Sequence, residues 1–295
     1  MSLVAVDAYS QIFRGFYAIM GLSDSRGEPT NAIFSFAKLL LYLDKNYPSS
    51  HGGMAFDCGK VAFRLAIAPD YKGNREPTPE ALLRQIPAIR ELAGDFGWPI
   101  MEDPGLEADD LLAGASELFG GEPVKIVSSD KDLAQLVSSS VSLLRPAKPS
   151  GFTEWNSAAV AAGFGVTPEQ MVDYLSLLGD ASDNIPGVRG VGGKTAAKIL
   201  AETGSLDAFF ADPARLSSEK LRGLLIANRD LLEKNRSLIR LRSELPPAFS
   251  SRDKWLRHAP DWRKIRAFCE KFELKSLLRE LPAPEEKFTR DLFDF

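Results

Sequence analysis

Three apolar runs in this chain each lead into an acid: Leu3-Val4-Ala5-Val6 into Asp7, Met54-Ala55-Phe56 into Asp57, and Val124-Lys125-Ile126-Val127, after two serines, into Asp130. Runs of this kind predict strands of a parallel sheet buried on both faces. The carboxyl ends of such strands emerge at one edge, which is where open α/β sheets bind ligands. Six further acids stand in short clusters, Glu107, Asp109 and Asp110, then Asp132, then Asp180 and Asp183. Like charges gathered in one cleft raise each other's pKa and oppose folding unless a cation sits among them. The nine carboxylates therefore imply divalent metal.

The spacings carry the same message. Glu107 and Asp110 share a face at the start of an apolar-periodic helix (Leu111, Leu112, Ala115, Leu118), where the helix dipole favours anions. Asp109 points about 100° away from Asp110 on such a helix, so two neighbouring ions account for the three acids better than one. Asp180 and Asp183 repeat the i,i+3 spacing. Oxygen-only ligands select Mg²⁺ or Mn²⁺ over zinc, and His51 and His258 are the only histidines. For isolated acids such as Asp44 and Asp95 an N-cap or a solvated helix face is a sufficient account.

Of 295 residues, 44% are hydrophobic and 26% charged, which fits one or two globular domains with a sizeable core. No apolar run approaches the roughly 18 residues of a membrane span. The chain opens directly on a strand, from which we expect no export signal. Cys58 and Cys269 lie far apart, as in a reducing compartment, so a cytoplasmic location is expected. The net charge of −4 divides unevenly: residues 1–185 carry 14 Lys and Arg against 24 Asp and Glu, a net of −10, and residues 186–295 carry 22 against 16, a net of +6. Metal would cancel much of the first, and the second has the sign needed to hold phosphates.

Strand patterns at 2–7, 53–57, 124–128 and 141–145 alternate with helical patterns at about 10–20, 30–45, 79–96, 107–119 and 168–178. The fold class read from this is α/β, a mostly parallel central sheet with helices on both faces. The polar crossover from Asp70 to Pro79 is longer than βαβ geometry needs, and such excess is often functional. From about residue 186 to Leu281 the pattern is helical. It opens on Ile185-Pro186-Gly187-Val188-Arg189-Gly190-Val191-Gly192-Gly193-Lys194-Thr195-Ala196-Ala197-Lys198, the pattern of a helix-hairpin-helix, whose glycines and helix-opening N–H groups grip phosphate backbone. A Walker A loop is excluded, because the glycine it needs at position 188 is Val.

These residues stand in a telling order: Val6-Asp7 with Phe13-Arg14, Phe56-Asp57 with Phe63-Arg64, and Tyr71-Lys72-Gly73-Asn74-Arg75 with Pro77-Thr78-Pro79-Glu80. Glu107-Ala108-Asp109-Asp110, Ser129-Asp130-Lys131-Asp132-Leu133 and Gly179-Asp180-Ala181-Ser182-Asp183-Asn184 follow. In them the chain resembles, over nearly its whole length, the 5′-nuclease (flap endonuclease-like) family, in particular the 5′-to-3′ exonuclease domain of bacterial DNA polymerase I and its stand-alone relatives. The resemblance implies a PIN-like nuclease core over 1–165 with a helical arch at about 70–97. It further implies a helix-hairpin-helix region over 166–281 that contributes Asp180 and Asp183; the tail, 282–295, lies outside the resemblance. The activity implied is that of a structure-specific 5′-nuclease, both 5′-to-3′ exonuclease and flap endonuclease, hydrolysing DNA phosphodiesters at 5′ flaps, nicks and free ends, RNA-primed ends being a further candidate, in primer removal and repair.

The same resemblance distributes roles. Two Mg²⁺ or Mn²⁺ ions would be held by Asp7, Asp57, Glu107 and Asp109 on one side and Asp130, Asp132, Asp180 and Asp183 on the other, with Asp110 near the boundary. Lys72 and Arg75 at the base of the arch would neutralise charge on the phosphate, with Arg14 assisting. Tyr9 and Tyr71 would stack on unpaired bases or else pack in the core. The carbonyls of Asn184, Ile185, Val188 and Val191 would hold K⁺, and Gly190, Gly192, Gly193, Lys194, Thr195 and Lys198 would bind DNA. Ala66 and Gly193 depart from residues common in relatives, and no attached polymerase domain is expected. Asp291-Leu292-Phe293 in the tail resembles the end of peptides that dock into a sliding clamp, with Thr289 in place of the leading Gln; folding back onto the core is the alternative. A monomer without membrane contact is expected. A DNA-binding protein that does not cut and a PIN-type ribonuclease are the rivals, disfavoured by the full set of acids and by the hairpin.

Overall fold

Strand β1 (Leu3–Asp7) lies inside a six-stranded sheet. The computed structural model describes residues 2–59, 61–147 and 151–283. β2 (His51–Ala55), β3 (Ile100–Met101), β4 (Val124–Val127), β5 (Val141–Pro146) and β6 (Phe152–Trp155) complete the sheet in the order β3-β2-β1-β4-β5-β6. All neighbours are parallel except β5 and β6. The chain builds outward from β1 to β2 and β3, then returns to the other side of β1 for β4 and β5. The reversal leaves a crevice outside the carboxyl ends of β1 and β4, the switch point at which doubly wound sheets bind ligands.

Alternation along the strands assigns the two faces. Val4, Val6, Met54, Phe56, Val127 and Leu144 are buried on one face under α1 (Ala8–Ala18), α2 (Asn31–Asn46) and, among later helices, the one over Ile86–Asp95. Leu3, Ala5, Ala55, Ile126 and Leu143 are buried on the other with the helix over Ala108–Leu118 and helices of the second half. Between β2 and β4 the chain forms α3 (Ala62–Ile67), α4 (Glu80–Leu83), α5 (Ile86–Asp95) and α6 (Ala108–Leu118). It continues through α7 (Ser157–Phe164), α8 (Met171–Leu178), α9 (Gly193–Thr203), α10 (Leu206–Ala211), α11 (Glu219–Ala227), α12 (Arg229–Ile239), α13 (Trp262–Lys271) and α14 (Lys275–Leu278).

Two expectations change here. The helical arch expected over 70–97 divides: residues 70–79 are a non-helical loop, whereas the residues after them bury Leu82, Ile89, Leu92, Ala93 and Phe96 in the core. Residues 262–281 do not stay with the hairpin helices; Ile265, Phe268, Leu274, Leu277 and Leu281 join the core face of α1 and α2. Asp180 ends the short strand β7 (Gly179–Asp180) and Asp183 stands in the turn that leads to its antiparallel partner β8 (Ile185–Pro186), so their i,i+3 spacing is that of a turn. The tail expected to meet a clamp, residues 284–295, lies outside the described residues. No helix of the described residues is long and apolar enough to cross a membrane.

Candidate active site

A cleft of about 920 Å³ opens at the switch point. Asp7, Asp57, Asp109, Asp130 and Asp180 line it, together with Arg14, Arg75, Lys131 and Arg145. Parallel strand ends deliver the first acids. Asp7 ends β1 and caps α1, accepting from the Ser10 N–H at 3.0 Å and from the Ser128 hydroxyl at 2.7 Å. Asp57 follows β2 and accepts the Ala108 N–H at 2.8 Å, which ties it to the start of α6. Asp130 follows β4, and its carboxylate turns the chain by accepting the Asp132 N–H at 2.9 Å.

The remaining acids come from elements that dock onto this edge. Asp109 sits in the first turn of α6. Asp180 receives Lys131 Nζ at 2.6 Å and both the N–H and the hydroxyl of Ser182. Asp183 receives Arg75 at 2.6 Å and the Tyr71 hydroxyl at 3.0 Å. The 70–75 loop is stitched to the β7–β8 turn by further bonds: Lys72 N–H to the Asp183 carbonyl at 3.0 Å, Asn74 Nδ2 to the Ala181 carbonyl at 2.7 Å, and Asn184 Nδ2 to the Asp70 carbonyl at 2.9 Å. Lys72 takes the left-handed conformation, φ 53°, inside this seam, and its ammonium lands 2.8 Å from Glu107 and 3.8 Å from Asp183.

The electrostatics fall into two overlapping groups with Asp130 in both. Burial, together with repulsion from Asp57 and Asp130, pushes the Asp7 carboxyl up to about 7 against the pull of its hydrogen bonds to Ser10 and Ser128. Burial also holds Asp109 well above the ordinary carboxylate range, with Asp130, Asp7 and Asp57 adding to the shift. Asp132 is held well up by burial and then by Asp130 and Asp180. Asp180 moves the other way: burial opposes its charge, but the ion pair with Lys131 and the bonds from Ser182 outweigh it.

Among the described residues no three His, Cys, Asp or Glu side chains are drawn in tightly enough to hold an ion as they stand. The donor chemistry nevertheless fits a hard cation. Every acid here offers oxygen, burial and mutual repulsion raise the pKa of Asp7, Asp109 and Asp132 above the ordinary carboxylate range, and Asp132 Oδ1 is buried without a hydrogen-bond partner among the described residues. These raised values fix a sign. A carboxyl with a folded pKa above its unfolded one binds more protons in the folded state between the two values, so stability falls as pH rises through that window. We expect the metal-free protein to melt at a lower temperature at pH 8 than at pH 5.5, with Asp7 contributing between about 3.8 and 7. Millimolar Mg²⁺ should raise the pH 8 value selectively. Melts in EDTA and in Mg²⁺ at both pH values check this, and an equal shift at both would refute it.

Several sequence-based assignments land differently. Asp110 is not in the cleft: it is fully buried and accepts Arg64 through both oxygens at 2.6 and 2.8 Å, the Arg242 N–H at 2.9 Å and its own cap's Glu107 N–H at 3.1 Å. Those four bonds fill its acceptor positions, so it is a positioning residue for α6. Glu107 is turned toward protein partners, Lys72, Arg64 at 3.2 Å and the Tyr71 hydroxyl at 3.2 Å. Tyr71 is 3% exposed with its hydroxyl shared between Glu107 and Asp183, so it packs in the core and does not stack on bases. Tyr9 does line the cleft, half-buried edge-on to Phe56. Arg14 lines it too, exposed and without a partner among the described residues.

Lys131 and Arg145 were missed as site residues. The lysine had a signal, a cation set between Asp130 and Asp132. Arg145, which lies over the Trp155 ring at 4.4 Å and donates to the Ser129 carbonyl, had none. In the glycine hairpin, Gly190 turns at φ 89° and α9 begins at Gly193 behind Gly192, which has no side-chain cap. Gly190, Gly192 and Lys194 are exposed, Gly193 and Thr195 half-buried, and Lys198 lies 3.9 Å from Glu202. Asn184, at φ 59°, leads into the buried side chains of Ile185, Val188 and Val191.

Comparison with known proteins bears on this arrangement. Residues 2–165 match the family model of the 5′-3′ exonuclease N-terminal resolvase-like domain, and residues 166–262 that of the 5′-3′ exonuclease C-terminal SAM fold. The chain is 38% identical over 282 residues to a 5′-3′ exonuclease of Aquifex aeolicus, covering 95% of each. It is 38% identical over 292 residues to the thermostable DNA polymerase I of Thermus thermophilus, covering 97% of this chain but only 34% of that one, so it spans about a third of such relatives. Among solved structures, T5 5′-exonuclease with bound divalent zinc superposes with a TM-score of 0.69 at 25% identity, over 93% of this chain and 99% of that one.

Proposed function

The chain belongs to the 5′-3′ exonuclease family, and from that premise we propose that it is a metal-dependent nuclease that hydrolyses DNA phosphodiesters at 5′ flaps, nicks and free 5′ ends. The observation that carries the reading is the cleft at the switch point, where Asp7, Asp57, Asp109, Asp130 and Asp180 face Arg14, Arg75, Lys131 and Arg145. Acids suit metal and arginines suit phosphate, and a phosphodiester is the substrate that needs both. Divalent metal bound to T5 5′-exonuclease, a structural relative over nearly the whole chain, supports the metal requirement.

We assign two Mg²⁺ or Mn²⁺ ions to the two overlapping acid groups, Asp7, Asp57 and Asp109 with Asp130, and Asp130 with Asp132, Asp180 and Asp183. Bound there, divalent metal would polarise the phosphate and lower the pKa of a water nucleophile. The chain's own residues do the rest. Asp7 and Asp57 are held by Ser128 and by the α6 backbone. Lys72, pinned on Glu107 by the seam to the β7–β8 turn, and Arg75 place positive charge at the edge of the cleft. The wall of the cleft from Arg75 to Thr78 is the loop itself, not a helix.

Grip on the duplex belongs in this reading to the glycine hairpin, with the open N-terminus of α9 and Lys194 on phosphates. A K⁺ ion on the carbonyls of Asn184, Ile185, Val188 and Val191 completes it. The Val188 carbonyl accepts the Val191 N–H at 3.0 Å, and a carbonyl has a second acceptor position left for a cation. Residues 1–165, with 262–281 packed onto them, then form the catalytic part and 166–261 the duplex-gripping part, with Asp180 and Asp183 reaching across.

Digestion of 5′-labelled flap, nicked, single-stranded and RNA–DNA hybrid substrates with Mg²⁺ and with Mn²⁺ tests the reading; no cleavage of any DNA substrate in either metal would overturn it. The division of labour has its own signature. Lys72→Ala should lower kcat with KM little changed, since a charge that matters as negative charge develops acts on the chemical step. Lys194→Ala, and replacement of K⁺ by Li⁺, should raise KM with kcat little changed. Should both variants alter KM alone, the separate roles are wrong.

A further inference from the structure

Of the aspartates assigned to metal, only Asp180 and Asp183 already carry a cation. Asp7, Asp57, Asp109, Asp130 and Asp132 form no ion pair among the described residues, whereas Asp183 takes Arg75 and Asp180 takes Lys131, each at 2.6 Å. The two cations are held differently. Arg75 belongs to the loop that backbone and amide bonds stitch to the β7–β8 turn, so it is fixed where it stands. Lys131 reaches Asp180 from the other side, out of the segment that follows β4, and its side chain is 38% exposed where that of Asp180 is 7%. A lysine is a point charge on a flexible stem, which leaves a carboxylate more readily than an arginine fork does.

The hydrogen bonds of Asp180 show what the lysine blocks. Oδ1 accepts both the N–H of Ser182, at 2.8 Å, and its hydroxyl, at 2.5 Å, so Oδ2, the oxygen under Lys131, is the one left to face a metal. Mg²⁺ binds a carboxylate oxygen at about 2.1 Å, so an ion on Oδ2 would stand within about 5 Å of the ammonium that shares it. A single and a double positive charge that close repel strongly in a half-buried cleft. Asp180 can therefore serve a divalent cation only after Lys131 has stepped off. Asp132, near enough to Asp180 to feel its charge, keeps Oδ1 buried and unpartnered among the described residues, a second oxygen for the same ion.

We propose that Lys131 is the built-in counter-cation of the second acid group, holding Asp180 until divalent metal takes its oxygen and then turning to the phosphate in the cleft; this rests on the metal assignment above. The ammonium is anchored between Asp130 and Asp132 in the chain and lines the cleft. Once released it stays beside the acids, where the phosphate of a bound strand is the anion open to it. One lysine then serves twice, first keeping the empty site from repelling itself and then stabilising charge on the substrate.

Mn²⁺ titrated onto the DNA-free protein, with the free ion followed by electron paramagnetic resonance, tests the exchange. Lys131→Met should bind Mn²⁺ about tenfold more tightly at one site than the parent does, an effect between those of an exposed and a buried pair. Lys131→Arg, whose fork grips a carboxylate through two bonds, should bind it more weakly than the parent. Melts in EDTA show whether each variant is folded, and Lys131→Arg, which keeps the pair, carries the test should Lys131→Met not fold. On a 5′ flap Lys131→Met should need less Mg²⁺ for half its maximal rate, with that rate itself down about tenfold. A lysine that only props Asp180 in place gives the opposite, weaker Mn²⁺ binding in Lys131→Met, and that result would overturn the proposal. Unchanged Mn²⁺ affinity in both variants would overturn it too, and a full maximal rate in Lys131→Met would remove the turn to phosphate. A protein that cuts no DNA yet binds Mn²⁺ with this dependence on Lys131 would end the nuclease reading and leave the exchange standing.

Discussion

Asp130→Ala should abolish cleavage, by about a thousandfold or more, the equivalent of about 4 kcal/mol of transition-state stabilisation, while flap binding stays within a fewfold. Asp130 is the one acid whose charge raises the carboxyls of Asp7, Asp109 and Asp132 alike. It therefore belongs to both acid groups, and its loss weakens the hold on both ions. Binding is spared because the grip on phosphates is assigned to the basic second half and to arginines around the cleft. The same centrality gives a second, less obvious outcome. Without metal, Asp130 repels three neighbouring carboxyls and contributes one hydrogen bond, from the Asp132 N–H, so its removal should leave the melting temperature in EDTA unchanged or higher. Mg²⁺ should then stabilise the variant less than the parent. Near-normal turnover of Asp130→Ala at saturating Mg²⁺ would remove the acid cluster from the chemistry.

What was legible in the sequence follows from what strands and helices impose locally. Asp7, Asp57 and Asp130 were readable as one edge because parallel strands align their carboxyl ends whatever the tertiary detail. The start of β2 was read two residues late, at 53 and not 51. Gly52 and Gly53 lack strand propensity and are there because Trp98 and Trp255 pack where their side chains would be, with a Cβ meeting an indole at 2.7 Å in each case. That packing joins residues far apart in sequence, and no local pattern shows it. Asp110 was misplaced for a similar reason. Its spacing from Glu107 puts both at one helix start, but only the tertiary fold brings Arg64 and the Arg242 N–H to it and withdraws it from the cleft. Tyr71 was ambiguous between stacking and packing, and two buried carboxylates decided for packing. The arch was expected from the family resemblance, and the long polar crossover before it is real, but the helical residues after that crossover carry the apolar periodicity of a core element, and they pack as one.

The buried pair of Arg64 and Asp110 should be the most sensitive point of the fold. Both side chains are essentially without solvent exposure, 1% and 0%, and meet through two hydrogen bonds. Burial works against the Arg64 charge, yet Asp110 and Glu107 hold the guanidinium pKa above its ordinary value. Arg64 also donates Nε to the Leu238 carbonyl at 3.1 Å, so one side chain ties α3 to the start of α6 and the end of α12. Arg64→Met removes the cation and leaves Asp110 charged in the interior with only backbone N–H partners. Breaking a buried pair in this way costs about 3–5 kcal/mol, most of it the unpaired charge that remains. Removing both charges is a different operation: Arg64→Met combined with Asp110→Leu should recover a large part of the loss, because two apolar side chains leave no stranded ion. Urea unfolding of the two variants and the parent measures both quantities. A loss below about 1 kcal/mol in Arg64→Met would mean that water reaches the pair and that it is an ordinary surface bridge. A double variant no better than the single would instead mean that the arginine acts through Leu238 and the packing of its stem, with Asp110 a bystander.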